Sequence, residues 1–219
     1  MGEAMAKNKE NVKSGGRKSP KLSTGLKGEA SRANNRIIRR TKIALQNSLI
    51  ELMKTKSILR ISVKEICDAA DVGRSTFYAH YDSHYDLLEQ IETECISSFE
   101  EKLSMNEPLR KYNTKEITQI FEKMLQFIAD NNNSIQTLFS ENGELSFQRK
   151  FIYRLVNYFK NAKKHYTDNL IDMETSECYT VFVVHGAIAL IQHWLKNNMH
   201  IPVSNHAGMI VSLTRETRQ

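Results

Sequence analysis

Four side chains between residues 74 and 79 are of the types that proteins use to contact DNA. Arg74 can donate two hydrogen bonds to a guanine edge, the hydroxyl of Ser75 can bond to either groove edge or to phosphate, and Ala79 leaves room for close approach. Tyr78 could reach a phosphate oxygen. If this stretch is helical, these side chains share its outer face. The pattern therefore predicts a surface that fits the major groove of DNA.

The preceding segment, residues 62–73, predicts a short helix that ends in a tight turn. Ser62 and Glu65 have the spacing of a capping box, in which each side chain bonds to the other residue's backbone N–H. Asp tolerates left-handed backbone angles and Gly is permissive, so Asp71-Val72-Gly73 should end the helix. The apolar positions of this helix recur at i, i+3, i+4 and i+7, and they are Val63, Ile66, Cys67 and Ala70.

The two short helices and the turn between them predict a helix-turn-helix unit. In a second helix from Arg74 to Tyr81, Phe77 and Tyr81 fall at i and i+4 and should be buried behind the outer face. An earlier apolar stripe should pack across both helices as a third helix, and it contains Ile38, Leu45, Leu49 and Leu52. The alternative is a helical hairpin inside an ordinary core, because this pattern alone gives false positives.

Residues 39–88 resemble, without a gap, the DNA-binding domain of the TetR/AcrR family of transcriptional regulators. The family pattern has an acidic-Leu-aromatic step, then Thr-Val-x-x-Ile-Ala, a Gly-Val-Ser turn and a Thr-Leu-Tyr-x-x-Phe recognition helix. This chain has Glu51-Leu52-Met53, Ser62-Val63-Lys64-Glu65-Ile66-Cys67, Asp71-Val72-Gly73 and Thr76-Phe77-Tyr78-Ala79-His80-Tyr81 at these places. Asp71 replaces the usual turn glycine, and Gly73 replaces the usual capping serine.

The resemblance implies which residues hold DNA. Family members use the residue at Ser62, the recognition helix from Arg74, and a lysine at the start of the next helix, which is His84 here. The charge of a histidine depends on pH, so this substitution changes the phosphate contact. The implied DNA-binding residues are Ser62, Arg74, Ser75, Thr76, Tyr78, Ala79, His80 and His84.

The charge of the chain is concentrated at its start. Residues 1–40 hold 11 Lys and Arg against 3 Glu, whereas the whole chain of 219 residues has a formal charge of +6. Residues 1–33 show no periodic apolar face, so we expect a disordered basic tail. That tail is either an arm that contacts the DNA backbone or minor groove, or a solubilising leader.

The rest of the chain predicts helices only, with no alternation typical of a β-strand. Ser83 and Asp86 should cap a helix that ends near Asn106 and Pro108, and "DNNNS" at 130–134 should interrupt the helix after it. The predicted fold is all-α. A helix-turn-helix domain at 34–82 is joined to a helical regulatory and dimerisation domain at 83–219. The further predicted helices cover Asn113 to Asp130, a short turn near 135–139, about 145–165, 174–199 and about 204–215.

The segment 181–204 resembles the C-terminal part of a TetR subgroup near dihydroxyacetone kinase genes. In the family the last two long helices form a four-helix dimer interface, and a ligand cavity lies in the helical domain, which implies a homodimer with a small-molecule effector. Tyr153, Phe182 and His185 are candidate ligand contacts, although core packing is the more common role for aromatic residues in such helices. His185 and His193 share a face that suits either a ligand contact or a hydrated subunit interface.

Several classes of protein are not indicated. The three cysteines form no C-x-x-C pair, no third ligand completes a metal site, and no phosphate loop or nucleophile motif appears, so we expect neither a cofactor nor an enzyme. No stretch approaches a membrane span, and a cytoplasmic protein is expected.

The leading hypothesis is a homodimeric repressor that a small molecule releases from a pseudo-palindromic operator on double-stranded DNA. The alternative is a TetR-like coregulator that binds another protein and has no operator of its own.

Overall fold

The computed structural model describes residues 23–103, 114–143, 145–164 and 173–216, and within these ranges it contains helices and turns but no β-strand. The all-helical prediction is confirmed. A single 3-10 turn, Ile58–Arg60, lies between the first two α-helices. The α-helices are α1 (Ser23–Met53), α2 (Val63–Ala70), α3 (Arg74–Tyr78), α4 (His84–Lys102), α5 (Thr114–Asp130), α6 (Asn132–Leu138), α7 (Leu145–Lys164), α8 (Met173–Lys196) and α9 (Val203–Glu216).

The chain divides into two compact units, residues 1–40 and 41–219. Helix α1 begins at Ser23 in the first unit, so residues 23–33 are helical where the sequence analysis expected a disordered tail. The rest of that tail, residues 1–22, lies outside the described residues. In the first unit the side chains of Arg36, Ile37, Arg39 and Arg40 are exposed.

The core of the helix-turn-helix lies between α2, α3 and the part of α1 in the second unit. Leu45 and Leu49 are completely buried and Leu52 partly buried, in keeping with the apolar stripe of the sequence. Ile66 of α2 and Phe77 of α3 have no exposed surface either. Burying each such side chain contributes roughly 1.5–3 kcal/mol, so the orientation of these helices is strongly specified.

Two helix ends differ from the prediction. Helix α3 ends at Tyr78 rather than Tyr81, because the N–H of His80 bonds to the carbonyl of Phe77, which tightens the last turn. Helix α6 begins at Asn132, inside the stretch expected to break the chain. Only Asn131 separates it from α5, and the side chain of Asn131 closes α5 by donating to the carbonyl of Phe127 at 2.8 Å.

Helices α4–α9 form the larger domain, in which α5 packs on α9 and α7 packs on α8. Helix α4 ends at Lys102, and the predicted end near Asn106 and the cap at Asn113 lie outside the described residues. The core contains a chain of aromatic rings whose centroids are 4.7–5.8 Å apart. Its members are Phe99, Phe127, Phe139, Phe147 and Phe151.

Helix α8 is buried on one side only. Val184, Ile188 and Ile191 are buried, whereas Phe182 and His185 on the other side are exposed. By length and a mean hydropathy of 1.4, Glu177–Lys196 could cross a membrane, which corrects the expectation that no stretch is long enough. Core helices of soluble proteins have the same properties, and α8 packs against α7 and α9.

Candidate DNA-binding interface

The N-terminus of α2 is fixed by the predicted capping box. The Ser62 hydroxyl accepts from the Glu65 N–H at 3.3 Å and donates to the Glu65 carboxylate at 2.9 Å, and the Ser62 N–H donates to the same oxygen at 2.9 Å. A hydroxyl has one proton, and here that proton is used within the cap. Ser62 could therefore donate to a DNA phosphate only by releasing Glu65.

The carboxylate of Glu65 stays ionised beside this cap. Lys56 donates to it at 2.6 Å, and this bond, together with those from the Ser62 backbone and side chain, lowers the pKa of Glu65 to about 2. Glu65 is therefore a fixed negative charge next to the predicted phosphate contact. Lys56 neutralises that charge and is not free to bind phosphate independently.

Two exposed cations flank Ser62 and were missed by the sequence analysis. Arg60 ends the 3-10 turn, and Lys64 is the second residue of α2; both side chains are exposed. The N-terminus of a helix attracts phosphate, and cations beside it strengthen that attraction. The sequence could have indicated these two residues, because both lie within two positions of Ser62.

The turn between α2 and α3 uses a left-handed residue, which is Asp71 and not Gly73. Asp71 has φ 53° and ψ 44°, and the N–H of Val72 bonds to the carbonyl of Cys67 at 3.0 Å. Gly73 has φ −66°, an angle that any residue adopts, and it caps α3 without a side-chain bond. The departures from the family turn sequence are thus compatible with a tight turn of the expected length.

Helix α3 separates a buried anchor from an exposed surface. Phe77 is completely buried and Tyr81 is 2% exposed, with their ring centroids 5.6 Å apart. Tyr78 is 57% exposed, and its ring meets the edge of Phe77 at 5.5 Å. The remaining predicted residues of this segment are exposed, apart from the half-buried His80; they are Arg74, Ser75, Thr76 and Ala79.

His84 begins α4, at the position where the family has a lysine. Its ring lies 4.2 Å from the ring of Tyr85 and is half-buried, and this burial lowers the pKa of His84 below the usual 6.5. The imidazole is therefore neutral at pH 7 and can donate a hydrogen bond to phosphate without adding charge. Between Asp71 and Asp82, Arg74 is the only Lys or Arg.

The three candidate ligand contacts are not brought together in a cavity. Tyr153 is 65% exposed, Phe182 is 61% exposed, and the exposed His185 bonds through Nδ1 to the Val181 carbonyl of its own helix at 2.8 Å. A pocket of about 510 Å³ that is largely open to solvent lies elsewhere, between the C-terminal ends of α4 and α5. It is lined by Ser98, Glu101, Lys102, Phe127, Asp130 and Asn131. Across the described ranges, no three His, Cys, Asp or Glu side chains are grouped as metal ligands.

Comparison with known families matches both domains. Residues 48–91 match the model of the bacterial regulatory proteins of the tetR family, and residues 115–216 match a model of a transcriptional regulator C-terminal region whose name also carries TetR. The two matches do not overlap. They cover the helix-turn-helix with the start of α4, and then α5 to α9.

Solved structures of regulators share the fold. A TetR transcriptional regulator from Streptococcus agalactiae is 23% identical, with 84% of this chain and 98% of that one covered and a TM-score of 0.61. The dihydroxyacetone kinase operon activator DhaS is 16% identical, with coverage of 81% and 95% and a TM-score of 0.54. The regulator FadR from Bacillus subtilis in complex with stearoyl-CoA is 13% identical, with coverage of 78% of this chain and 96% of that one and a TM-score of 0.55.

No curated protein matches the chain. The family matches, the helix-turn-helix geometry and the shared fold nevertheless agree on a class of DNA-binding regulators rather than enzymes. The chain belongs to the TetR family of transcriptional regulators.

Proposed function

We propose that the chain is a homodimeric transcriptional regulator in which each α3 enters the major groove at one half-site of a pseudo-palindromic operator. The observation that carries this proposal is the division of α3 into an anchored and a free side. Phe77 and Tyr81 hold the helix from behind, while Arg74 and Tyr78 remain exposed in front. A helix fixed in this way can present base contacts without losing its own order.

The residues of the interface have different roles in this proposal. Arg74 donates to a guanine edge, and Tyr78 and His84 donate to phosphates. Arg60 and Lys64 supply positive charge that attracts the phosphates. His84, which is neutral in the free protein, and Ser62, whose hydroxyl bonds to Glu65, do not supply it. Ser75, Thr76, Ala79 and His80 complete the surface that faces the groove.

A second copy of the chain is the proposed partner of α8 and α9. Val181 and Phe182 of α8 and Met209 and Leu213 of α9 are large apolar side chains with substantial exposure. Gly186 and Gly208 face open space: apart from their chain neighbours and the adjoining helix backbone, no atom of the described residues lies within 4 Å of where a Cβ would stand. Exposed apolar patches of this kind usually mark protein interfaces. Dimerisation would also supply the two copies of α3 that a palindromic site requires.

Occupation of the operator represses transcription in this proposal, since steric blocking requires no further contact with polymerase. A small-molecule effector then releases the protein by favouring a different arrangement of the helical domain. FadR in complex with stearoyl-CoA shows that a protein of this fold binds such a molecule. The pocket beside the end of α4 could transmit binding to the DNA-binding domain through that helix. With operator DNA as its partner, the protein would act in the cytoplasm.

The basic N-terminal segment is proposed to add affinity that does not depend on sequence. The arginines 36, 39 and 40 are exposed on α1, and more Lys and Arg precede them in the sequence. Contacts between such side chains and phosphates release counterions, so they would increase the dependence of DNA affinity on salt.

The experiment is a comparison of Arg74→Ala with Arg149→Ala, an exposed arginine on α7 far along the sequence from the interface. The DNA is the preferred duplex selected by the protein from random sequences. We expect Arg74→Ala to lose about 1–3 kcal/mol of binding and to relax the preference at one base pair. Arg149→Ala should bind as the wild type does. Equal losses on all sequences would contradict base recognition.

A coregulator that binds another protein is the second candidate. The observation in its favour is the low positive charge of the recognition segment, where Arg74 is flanked by Asp71 and Asp82 and His84 is neutral. A selection that enriches no duplex, together with a partner that co-purifies equally with the wild type and with Arg74→Ala, would favour this candidate.

A further inference from the structure

Helices α4 and α7 carry opposite charges. Residues 84–102 contain six Asp and Glu and a single Lys, whereas residues 145–164 contain six Lys and Arg and no acidic residue. Helix α4 begins at His84, in the proposed DNA interface, and continues into the regulatory domain. Its position against α7 therefore bears directly on where the DNA-binding domain is held.

Among the side chains that the structure describes, three ion pairs join the two helices. The Lys150 ammonium lies 2.9 Å from Oε2 of Glu92 and 3.9 Å from Oε1 of Glu89, and Nη1 of Arg154 lies 3.5 Å from Oε1 of Glu100. We refer to these as the α4–α7 ion pairs. The Ser146 hydroxyl, also on α7, donates to Oε1 of Glu92 at 3.5 Å.

The pair between Glu92 and Lys150 differs from the other two in its burial. The Glu92 side chain is 3% exposed, whereas Glu89 is 71% exposed and Arg154 is 59% exposed. Exposed pairs contribute little because water screens them and replaces them easily. A buried carboxylate that loses its partner is strongly destabilising, since nothing compensates its charge. Glu92 therefore resists movement of α4 against α7, together with the packing of Phe99 on Phe151, although the Lys150 side chain itself is 45% exposed.

The bond between Glu92 and Lys150 opposes sliding of α4 along α7 more than it opposes small rotations. One turn of an α-helix is 5.4 Å long, so with both side chains in their present rotamers a slide of α4 by one turn along α7 would separate Lys150 from Glu92 by about 6 Å, beyond hydrogen-bonding range. Small rotations about the bond would be tolerated. The helix pair thus has a preferred register, and leaving it requires Glu92 to find another partner or become solvated.

We propose that the bond between Glu92 and Lys150 fixes the register of α4 on α7 and thereby sets the separation of the two DNA-binding domains in the dimer. This proposal rests on the proposed function. Glu92 and Lys150 are positioning residues, since they act on DNA through α4. An effector that displaces α4 must break this bond, so its strength sets how readily the protein releases its operator.

The test measures the preferred spacing between half-sites rather than affinity alone. The duplex selected by the wild type is prepared with its half-sites at the selected spacing and with one or two base pairs added or removed. Wild type, Glu92→Gln and Lys150→Gln are compared, with Lys160→Gln as the matched control. Lys160 is also on α7 but pairs with Glu177 of α8.

We expect the wild type and Lys160→Gln to prefer one spacing sharply. Glu92→Gln and Lys150→Gln should each reduce that preference by about tenfold or shift it to another spacing. A merely structural role would lower affinity equally at every spacing, and that result in both variants would overturn the proposal. Failure of the wild type to select any duplex would instead refute the proposed function, so the two failures are distinguishable.

Discussion

Tyr81 anchors α3 but buries a hydroxyl without a hydrogen bond. Within the described chain its OH has no partner, and burial, followed by the charges of Glu94 and Asp86, raises the pKa of Tyr81 to about 12. The Lys42 ammonium lies 5.6 Å from the ring centre, over the face and not at the OH. An unsatisfied buried hydroxyl costs about 1–3 kcal/mol.

Replacing Tyr81 with Phe keeps the ring and removes that cost. We expect Tyr81→Phe to stabilise the protein by about 1 kcal/mol in urea unfolding. The matched variant is Tyr78→Phe, which removes a hydroxyl from an exposed ring and should leave stability within about 0.5 kcal/mol of the wild type. A loss of stability in Tyr81→Phe would mean that the hydroxyl has a partner, such as a bound water.

If His84 contacts a phosphate as proposed, the affinity for DNA should depend on pH. Burial lowers the pKa of His84 in the free protein, and a nearby phosphate favours the protonated ring, so binding takes up a proton. Affinity should therefore rise as the pH falls from 7.5 toward and below 6.5. His84→Lys should bind more tightly at pH 7.5 and steepen the salt dependence by about one phosphate contact. An equal pH response in His84→Lys would assign the titration to another group.

At the scale of the element, sequence patterns located helices better than they located helix ends. The capping box at Ser62 and the cap at Ser83 set the starts of α2 and α4 correctly, because the bonds involved are local. The polar run at 130–134 does end α5, at Asp130, but the next helix begins at Asn132 and not near Ile135 as predicted. In the structure one residue, Asn131, turns the chain, and α6 then buries Ile135 and Leu138, while Asn133 is exposed and Asn132 is half-buried. Tertiary packing decides such cases, and it is not encoded in adjacent residues.

The packing of α9 on α8 includes a buried histidine, and we expect this packing to become less stable at acidic pH. His206 is 1% exposed, and its ring stacks on Trp194 at 5.1 Å and 15°. Burial is the main cause that lowers the pKa of His206 below 6.5, and the nearby His193 and His200 lower it further. The Leu190 carbonyl favours the protonated ring, but neither ring nitrogen forms a hydrogen bond of good geometry within the described chain.

The folded protein thus binds fewer protons at His206 than the unfolded chain does. The contribution of His206 to the free energy of unfolding is fully present above pH 6.5. It decreases as the pH falls from 6.5 toward the lowered pKa of His206 in the folded protein. His206→Phe keeps a flat ring against Trp194 and cannot titrate. As the pH is lowered from 7 to 5, we expect the free energy of unfolding of the variant to increase relative to that of the wild type, as measured by urea unfolding at each pH. A constant difference would show that His206 does not titrate on unfolding.

At the scale of the molecule, the exposed face proposed to contact DNA could be predicted from the sequence, whereas the placement of the candidate ligand contacts could not. Most of the residues proposed to face DNA follow one another along one short segment, so the period of the helix alone separates them from the core. The candidate ligand contacts come from two helices, and their positions depend on how α7 and α8 rotate about their axes. In the structure both Tyr153 and Phe182 turn toward the outside of the chain.

The exposure of Phe182 leads to the last prediction, which concerns assembly. If α8 and α9 pair with a second copy, Phe182→Glu places a charge in an apolar interface and should weaken dimerisation by about 2 kcal/mol or more. Sedimentation at micromolar concentrations should then show monomers, and operator affinity should fall because the two half-sites are no longer bound together. Tyr153→Glu is the matched control, since Tyr153 is equally exposed but lies on α7. A monomeric wild type, or an intact Phe182→Glu dimer, would exclude this face as the dimer interface.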